Sequence, residues 1–322
     1  DILALYAMVT VEVNDWNIVA GVRFEDTSFS TTGNKVELIT DDISGDESVE
    51  INPWHSEKDY EHFFPSLNVR YNINEQLVSR FAYTQTIARP SFSDTAAYQL
   101  IETEINEDDG ATVIERKAEV GNPDLEPYES SNFDISIEYY PETIGVLSAG
   151  LFYKDIENYI LYEEVQDNGE WHGFEEVIQP LNGGNASLTG IELAWNKSFD
   201  FGLLLGANGT FIDADEKLPN QADTVANIMV GYENNAISLR LSTSYKSENY
   251  KFADNDADVY QDAHTQIDFS GKYYMTDTVQ FYFNVSNLND EPYYLYHGEN
   301  QYNYQYEEYG RTFELGVTFT SL

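Results

Sequence analysis

Apolar and polar residues alternate along most of the chain. Ile18, Ala20, Val22 and Phe24 interleave with Val19, Gly21, Arg23 and Glu25. Phe133, Ile135, Ile137 and Tyr139 interleave with Asn132, Asp134, Ser136 and Glu138. Ile237, Leu239 and Leu241, then Val279, Phe281, Phe283 and Val285, then Phe313, Leu315, Val317 and Phe319 repeat the rhythm. A period of two marks a strand whose two faces meet different surroundings. No long stretch carries a helical period. The rule predicts about thirteen strands, near 3–14, 16–30, 64–74, 76–88, 130–141, 145–162, 184–198, 202–216, 222–233, 236–249, 260–275, 278–290 and 306–320. Many exceed the about 5 to 6 residues usual in soluble sheets and suit the about 9 to 11 of a tilted bilayer crossing.

The predicted connections alternate in length. Tight turns fall at Asn14-Asp15, Asn74-Glu75, Pro141 to Ile144, Phe199 to Phe201, Asn234-Asn235 and Thr276-Asp277. Between them lie longer loops at 31–63, 89–129, 163–183, 217–221, 250–259 and 291–305. Short turns on one rim and long loops on the other are the plan of an outer-membrane barrel. The polar face agrees, because it carries Arg23, Glu25, Arg70, Arg80, Asp134, Glu138, Lys154, Glu192, Arg240, Asp268 and Lys272. Arg23, Glu25, Arg80, Glu192 and Arg240 are therefore expected to line a watery lumen, which tolerates charge where a dry core does not. The other reading makes that face the solvent side of a β-sandwich, which leaves the loop rhythm without a cause. Aromatic residues at strand ends, such as Tyr139-Tyr140 and Tyr273-Tyr274, suit an interfacial girdle.

Composition narrows the classes. Among 322 residues, 57 Asp and Glu face 16 Lys and Arg, a formal net charge of −41, so nucleic acid is excluded as a partner. An aromatic content of 15% separates the chain from disordered acidic sequences. With no Cys there is neither a disulfide framework nor a thiolate metal site. No apolar run approaches the roughly 18 to 20 residues of a membrane-spanning helix, which leaves barrel strands as the way across. The chain opens at Asp1 without a leader and reads as a mature form or a fragment.

Ordered motifs then point to a family. They are Ala20-Gly21-Val22-Arg23-Phe24-Glu25-Asp26-Thr27, the run Phe81 to Phe92 with Arg89-Pro90, and Gly121-Asn122-Pro123-Asp124-Leu125-Glu126-Pro127 ahead of Asn132-Phe133-Asp134. Gly150 to Ile156, Gly190 to Leu193 and Gly310 to Phe313 follow in register. The chain resembles the C-terminal half of TonB-dependent outer-membrane receptors, in a style closest to the carbohydrate-uptake branch. The resemblance implies an all-β, antiparallel up-and-down transmembrane barrel, here about thirteen strands of a barrel of about 22. It makes residues 1–322 one C-terminal barrel portion, with the plug domain and TonB box of the family not visible. It also implies active import of a scarce or bulky substrate across the bacterial outer membrane, carbohydrate first and iron–siderophore next. The implied partners are the TonB complex acting through the plug, the lipid bilayer, lipopolysaccharide, and a small-molecule or oligosaccharide ligand. The family usually ends on an aromatic residue, whereas Phe319 here precedes Thr320, Ser321 and Leu322. Two other classes stay open: a complete small porin-like barrel with one strand missed in 31–63 or 89–129, and a soluble Ca²⁺-dependent carbohydrate-binding sandwich.

Candidate chemistry is sparse. The five His are dispersed and no hydrolase, zincin or P-loop motif occurs, so no enzyme and no resident cofactor are expected. Arg89 could hold a carboxylate of a neighbouring acidic loop, and Pro90 ends its strand because it cannot donate to a ladder. Gly121, Asn122, Pro123 and Pro127 read as turn-forming rather than ligand-binding residues. Loop acids at Asp41, Asp42, Asp46, Glu47, Glu102, Glu104, Glu107, Asp108, Asp109, Glu163, Glu164, Asp167, Glu170, Glu175 and Glu176 form either an anion-repelling funnel or a solvated surface. Asp254, Asp256 and Asp258 have part of the spacing of a calcium loop without its Gly and distal Glu. Trp171, His172 and Phe174, with Tyr293, Tyr294, Tyr296, Tyr302 and Tyr304, are the candidate ligand-binding aromatics, since flat rings receive the C–H faces of sugars. Girdle or loop packing is the alternative for the same residues.

Overall fold

A computed structural model describes residues 1–109, 111–164, 169–254 and 257–320. The first strands are β1 (Ile2–Val13), β2 (Trp16–Asp41), β3 (Asp46–Asn74), β4 (Leu77–Ala88), β5 (Gln99–Asp108), β6 (Ala111–Val120) and β7 (Tyr128–Tyr139). Then come β8 (Val146–Glu157), β9 (Ile160–Glu164), β10 (Glu176–Asn182), β11 (Ala186–Ser198), β12 (Leu203–Ala214), β13 (Thr224–Glu233) and β14 (Ile237–Lys246). The last are β15 (Asn249–Phe252), β16 (Val259–Gln261), β17 (His264–Thr276), β18 (Val279–Ser286), β19 (Tyr293–His297), β20 (Asn303–Glu307) and β21 (Thr312–Phe319).

Thirteen of these form one antiparallel meander: β1, β2, β3, β4, β7, β8, β11, β12, β13, β14, β17, β18 and β21 pair in that order. The tight turns between them are local chemistry. Asn14 takes the left-handed conformation (φ 51°) that a two-residue hairpin needs. The Asn234 carboxamide oxygen accepts from the amides of Ala236 at 2.8 Å and Ile237 at 2.9 Å, an Asx turn. Gly202 (φ 98°) lies where a Cβ would fall 2.2 Å from the Glu233 carbonyl, so only glycine fits.

Register fixes the two faces. Val11, Ile18, Val69, Phe81, Ile135, Leu151, Ile191 and Phe211 lie directly opposite one another across eight strands. Val11, Phe81, Ile135, Leu151, Ile191 and Phe211 are all exposed. One residue along each strand, Glu12, Asn17, Arg70, Arg80, Ser136, Gly150, Glu192 and Thr210 form the matching polar row. An apolar belt this continuous exceeds what a soluble surface carries, and lipid covers it in an outer-membrane barrel. No second sheet packs on this belt among the described residues, so the sandwich reading falls. Beside the short turns, Trp16 stacks on Tyr71 at 4.3 Å and Tyr273 on Phe281 at 6.5 Å, as an interfacial girdle requires.

The structure departs from the alternation rule on the long-loop rim. The segment 31–63, expected as a loop, continues β2 and β3 as one projecting hairpin with its turn at 42–45. Its charged residues fall on both faces, Glu57 and Asp59 on one and Lys58 on the other, so it lacks the alternation that betrays a membrane strand. The segment 89–129 holds β5 and β6; β5 pairs with the projecting outer end of β2 and β6 pairs with β5 and β10, so neither adds a wall strand. The strand expected over 145–162 breaks after Glu157, where Asn158 adopts φ 59°. Residues 306–307 belong to β20 and Val259–Gln261 to β16, so the wall strands β21 and β17 begin later than expected, at Thr312 and His264. Two rim layers result. One joins β2, β5, β6, β10 and β9. The other is the four-stranded sheet β15-β16-β19-β20.

Candidate ligand-binding rim

Several charged residues of the wall are paired. Arg80 donates from Nε and Nη2 to the Glu138 carboxylate at 3.0 and 3.2 Å, and Arg240 lies 3.6 Å from Glu233. Glu192 is exposed on the polar row between Gly150 and Thr210. Glu25 sits between two guanidinium groups: Arg23 at 2.6 Å and Arg89, which also donates to Thr27 Oγ1 at 3.3 Å. This corrects the expectation for Arg89. Its carboxylate partner stands on β2 of the wall and not in an acidic loop. The link ties the end of β4, just before Pro90, to the middle of β2.

The Gly121 to Pro127 segment is a clamp between rim elements. Asn122 Nδ2 donates to the Pro180 carbonyl at 3.0 Å, while its Oδ1 accepts the Asp124 amide at 3.1 Å. Asn182 completes it, accepting from the Glu126 amide at 2.8 Å and donating to the Glu126 carbonyl at 2.9 Å. A Cβ on Gly121 would fall 2.1 Å from the Ala96 carbonyl. Pro123 and Pro127 fix the backbone between these bonds, and Leu125 is buried beneath them.

The aromatic candidates separate. Trp171 is 6% exposed and packs with Ala118, Val120 and Val177, flanked by Trp54, Ile101 and Phe174. Phe174 meets it edge-on at 5.3 Å and lies under the Arg116 guanidinium at 4.2 Å. Both are therefore packing residues; a buried indole offers no face to a solute. His172, next to them, is exposed. In the last loop Tyr296 is 3% exposed and donates its hydroxyl to Glu248. Burial first and that carboxylate second push its phenol well above the usual range. Tyr293 and Tyr294 are half-buried, and Tyr294 donates to the Asn300 carbonyl at 2.6 Å. Tyr302 and Tyr304 are exposed, and Tyr304 stands 4.8 Å from the His297 ring and 5.7 Å from Phe252. Phe252, Tyr304 and His297 thus form a ring cluster open to solvent, with exposed Tyr302 tied to it through its carbonyl, which accepts the His297 amide at 2.9 Å; sequence reasoning missed Phe252 and His297. The signal was their place beside the tyrosines, visible only once β15 and β19 share a sheet.

Two of the three calcium candidates are engaged by other side chains. Asp258 is held by Lys217 Nζ at 2.8 Å and by the Tyr260 hydroxyl at 3.3 Å, and Asp254 pairs with His297 at 3.0 Å. Asp256 lies outside the described residues. No group of three or more His, Asp or Glu side chains is placed to hold a metal among the described residues. Loop acids do converge: the Asp42 amide donates to the Ile105 carbonyl at 3.0 Å, bringing the 41–47 and 102–109 tips together, while Asp167 lies outside the described residues. Such a tip repels polyanions.

The comparisons follow this architecture. The family described as TonB dependent receptor-like, beta-barrel, matches residues 1–288. The vitamin B12 transporter BtuB of Photobacterium profundum is 27% identical over 201 residues, 60% of this chain and 31% of that protein. Among solved structures, a variant of the ferric enterobactin receptor PfeA of Pseudomonas aeruginosa aligns over 99% of this chain and 53% of its own, with a TM-score of 0.63 at 15% identity. The ferric-catecholate import receptor Fiu of E. coli aligns over 99% of this chain and 44% of its own, with a TM-score of 0.66 at 16% identity. The chain spans about a third of the first relative and about half of the two receptors.

Proposed function

This chain belongs to the TonB-dependent receptor family of the Gram-negative outer membrane, and on that premise we propose that it is the C-terminal wall of an active importer for a scarce, bulky solute that is neutral or cationic. A plug segment coupled to the energised TonB complex would open a path along the polar row from Glu12 to Thr210. The observation that carries the reading is the one-sided build of the rim, with tight turns at one end and two β-layered layers at the other. Such a rim holds a solute by many shallow contacts before release into the lumen.

The converged acidic tips argue against a polyanionic cargo such as a ferric tris-catecholate. The open rings of Phe252, Tyr302 and Tyr304 favour a carbohydrate, the preference of the sequence reading, although none of the relatives described above is named for a sugar. The relative named for vitamin B12 favours a neutral corrinoid as the second reading. The test is uptake of a neutral oligosaccharide, cyanocobalamin and ferric enterobactin by cells carrying the receptor, with and without TonB. TonB-dependent accumulation of one of the two neutral solutes is expected. Uptake independent of TonB, or ferric enterobactin as the sole cargo, sinks the reading.

A further inference from the structure

Beside the four-stranded rim sheet, where the β12–β13 connection meets β15 and β16, lies a cavity of about 270 Å³. That is room for about nine waters at about 30 Å³ each, or one sugar ring with its hydroxyls. Its wall includes Asp215, Glu216, Asp223, Glu248, Asn249 and Tyr260. The connection is locked in place from several sides. The Asn220 amide donates to the Tyr250 carbonyl at 2.7 Å, Ala222 bridges Asn249, and Lys217 spans to Asp258 and to the Tyr260 hydroxyl at 2.8 Å each.

One residue in that wall is unaccounted for. Asn249 is 3% exposed, and both its Nδ2 and its Oδ1 are buried without a hydrogen-bond partner among the described residues. A carboxamide stripped of water and left unpaired is destabilising, and it calls for a partner that a bound water or solute group can supply. The groups around it narrow the chemistry. Asp215 is already engaged, accepting from the Ser187 amide at 2.6 Å and its hydroxyl at 2.8 Å, which holds its carboxyl below the usual range. Glu248 accepts from Tyr296. Glu216 and Asp223 have no cationic partner among the described residues, so they remain acceptors for O–H and N–H groups. Tyr250 and Tyr260 meet at 5.9 Å, with apolar ring surface for C–H groups.

We infer that this cavity is a binding subsite for a small polyhydroxylated group that is neutral or cationic, in the manner of a sugar or amino sugar ring. Asn249 would donate to and accept from adjacent hydroxyls, Glu216 and Asp223 would accept from hydroxyl or ammonium groups, and the tyrosines would cover the carbon face. The inference rests on the import reading for its biological use but not for its existence.

The test is calorimetric titration of the receptor, extracted from outer membranes in detergent, with glucosamine, glucose and glucuronate. Saturable binding of glucosamine, weaker binding of glucose and none of glucuronate are expected. Asn249→Leu should weaken glucosamine at least tenfold without lowering the melting temperature of the free protein, since it removes an unsatisfied group. If that variant does not fold, Asp223→Asn on the exposed side of the cavity should weaken glucosamine at least tenfold by itself. Glucuronate binding as tightly as glucosamine, no saturable binding to the parent, or an affinity unmoved by the variants overturns the site. Binding here combined with uptake independent of TonB would overturn the import reading alone. TonB-dependent uptake without saturable binding of these probes would overturn the subsite alone.

Discussion

Replacing Trp171 by alanine separates the two roles an aromatic residue in this loop could have. The indole is 6% exposed and fills the space between β6 and β10, against Ala118, Val120 and Val177. Truncating a buried Trp to Ala removes about 3 to 5 kcal/mol through lost burial and the cavity left behind. The one meander residue that touches this cluster is Trp54, on the projecting outer half of β3, so the loss falls on local opening of the rim layer rather than on the barrel. At about 1.4 kcal/mol per tenfold, the opening equilibrium of that layer should rise roughly one-hundred- to several-thousand-fold. Hydrogen exchange reads this at the parallel ladder that pairs Lys117–Glu119 with Glu176–Ile178. Those amides should lose protection by that factor while β11 to β14 keep theirs. Exchange within about threefold of the parent would refute the argument, as the packing it assigns to Trp171 would then carry no stability.

Other perturbations test other joints. Arg89→Ala leaves Glu25, whose side chain is 11% exposed, with Arg23 as its one remaining cation; thermal unfolding should show a loss of about 3 kcal/mol, partly restored by Arg89→Ala with Glu25→Ala. Gly121→Ala drives a Cβ into the Ala96 carbonyl and should destabilise the 94–127 segment by about 1 to 3 kcal/mol, read as faster proteolysis there. Burial first and the Glu119 carboxylate second raise the Tyr98 phenol from 10.0 to about 12. The folded state keeps its proton longer than the unfolded one, so this contribution is complete below pH 10 and lost as pH rises towards 12. Tyr98→Phe should flatten that alkaline loss of stability. Lys217→Met should weaken the tie between the 217–221 and 258–260 segments by no more than about 1 kcal/mol, since the lysine is 64% exposed, and should show in exchange of the Asn220 amide and not in the global melt.

Alternation carried the wall because each wall strand meets lipid on one face and water on the other, and that contrast is written residue by residue. Ile135 and Ser136, or Ile191 and Glu192, could be assigned to faces before any pairing was known. The rim was less legible. Thr31 to Phe63 carries charges on both faces, so it reads as a loop although it is a ladder, paired residue for residue from Asp41↔Asp46 to Phe24↔Phe63. Trp171 reads as a candidate for solute until β6 and β10 close over it. Nor does the spacing of Asp254 and Asp258 show that Lys217 and His297 arrive from other segments to pair with those carboxylates.

The order of the wall strands, the side of each turn and the split between lipid and lumen faces are local properties, set by period two and by turn residues such as Asn14, Gly202 and Asn234. Which carboxylate meets Arg89, which aromatics stay open and what surrounds Asn249 depend on residues tens of positions apart. Those were decided by the register of neighbouring strands and the packing of one connection on another, because a side chain's partners are chosen by the distances that folding creates and not by its place along the chain.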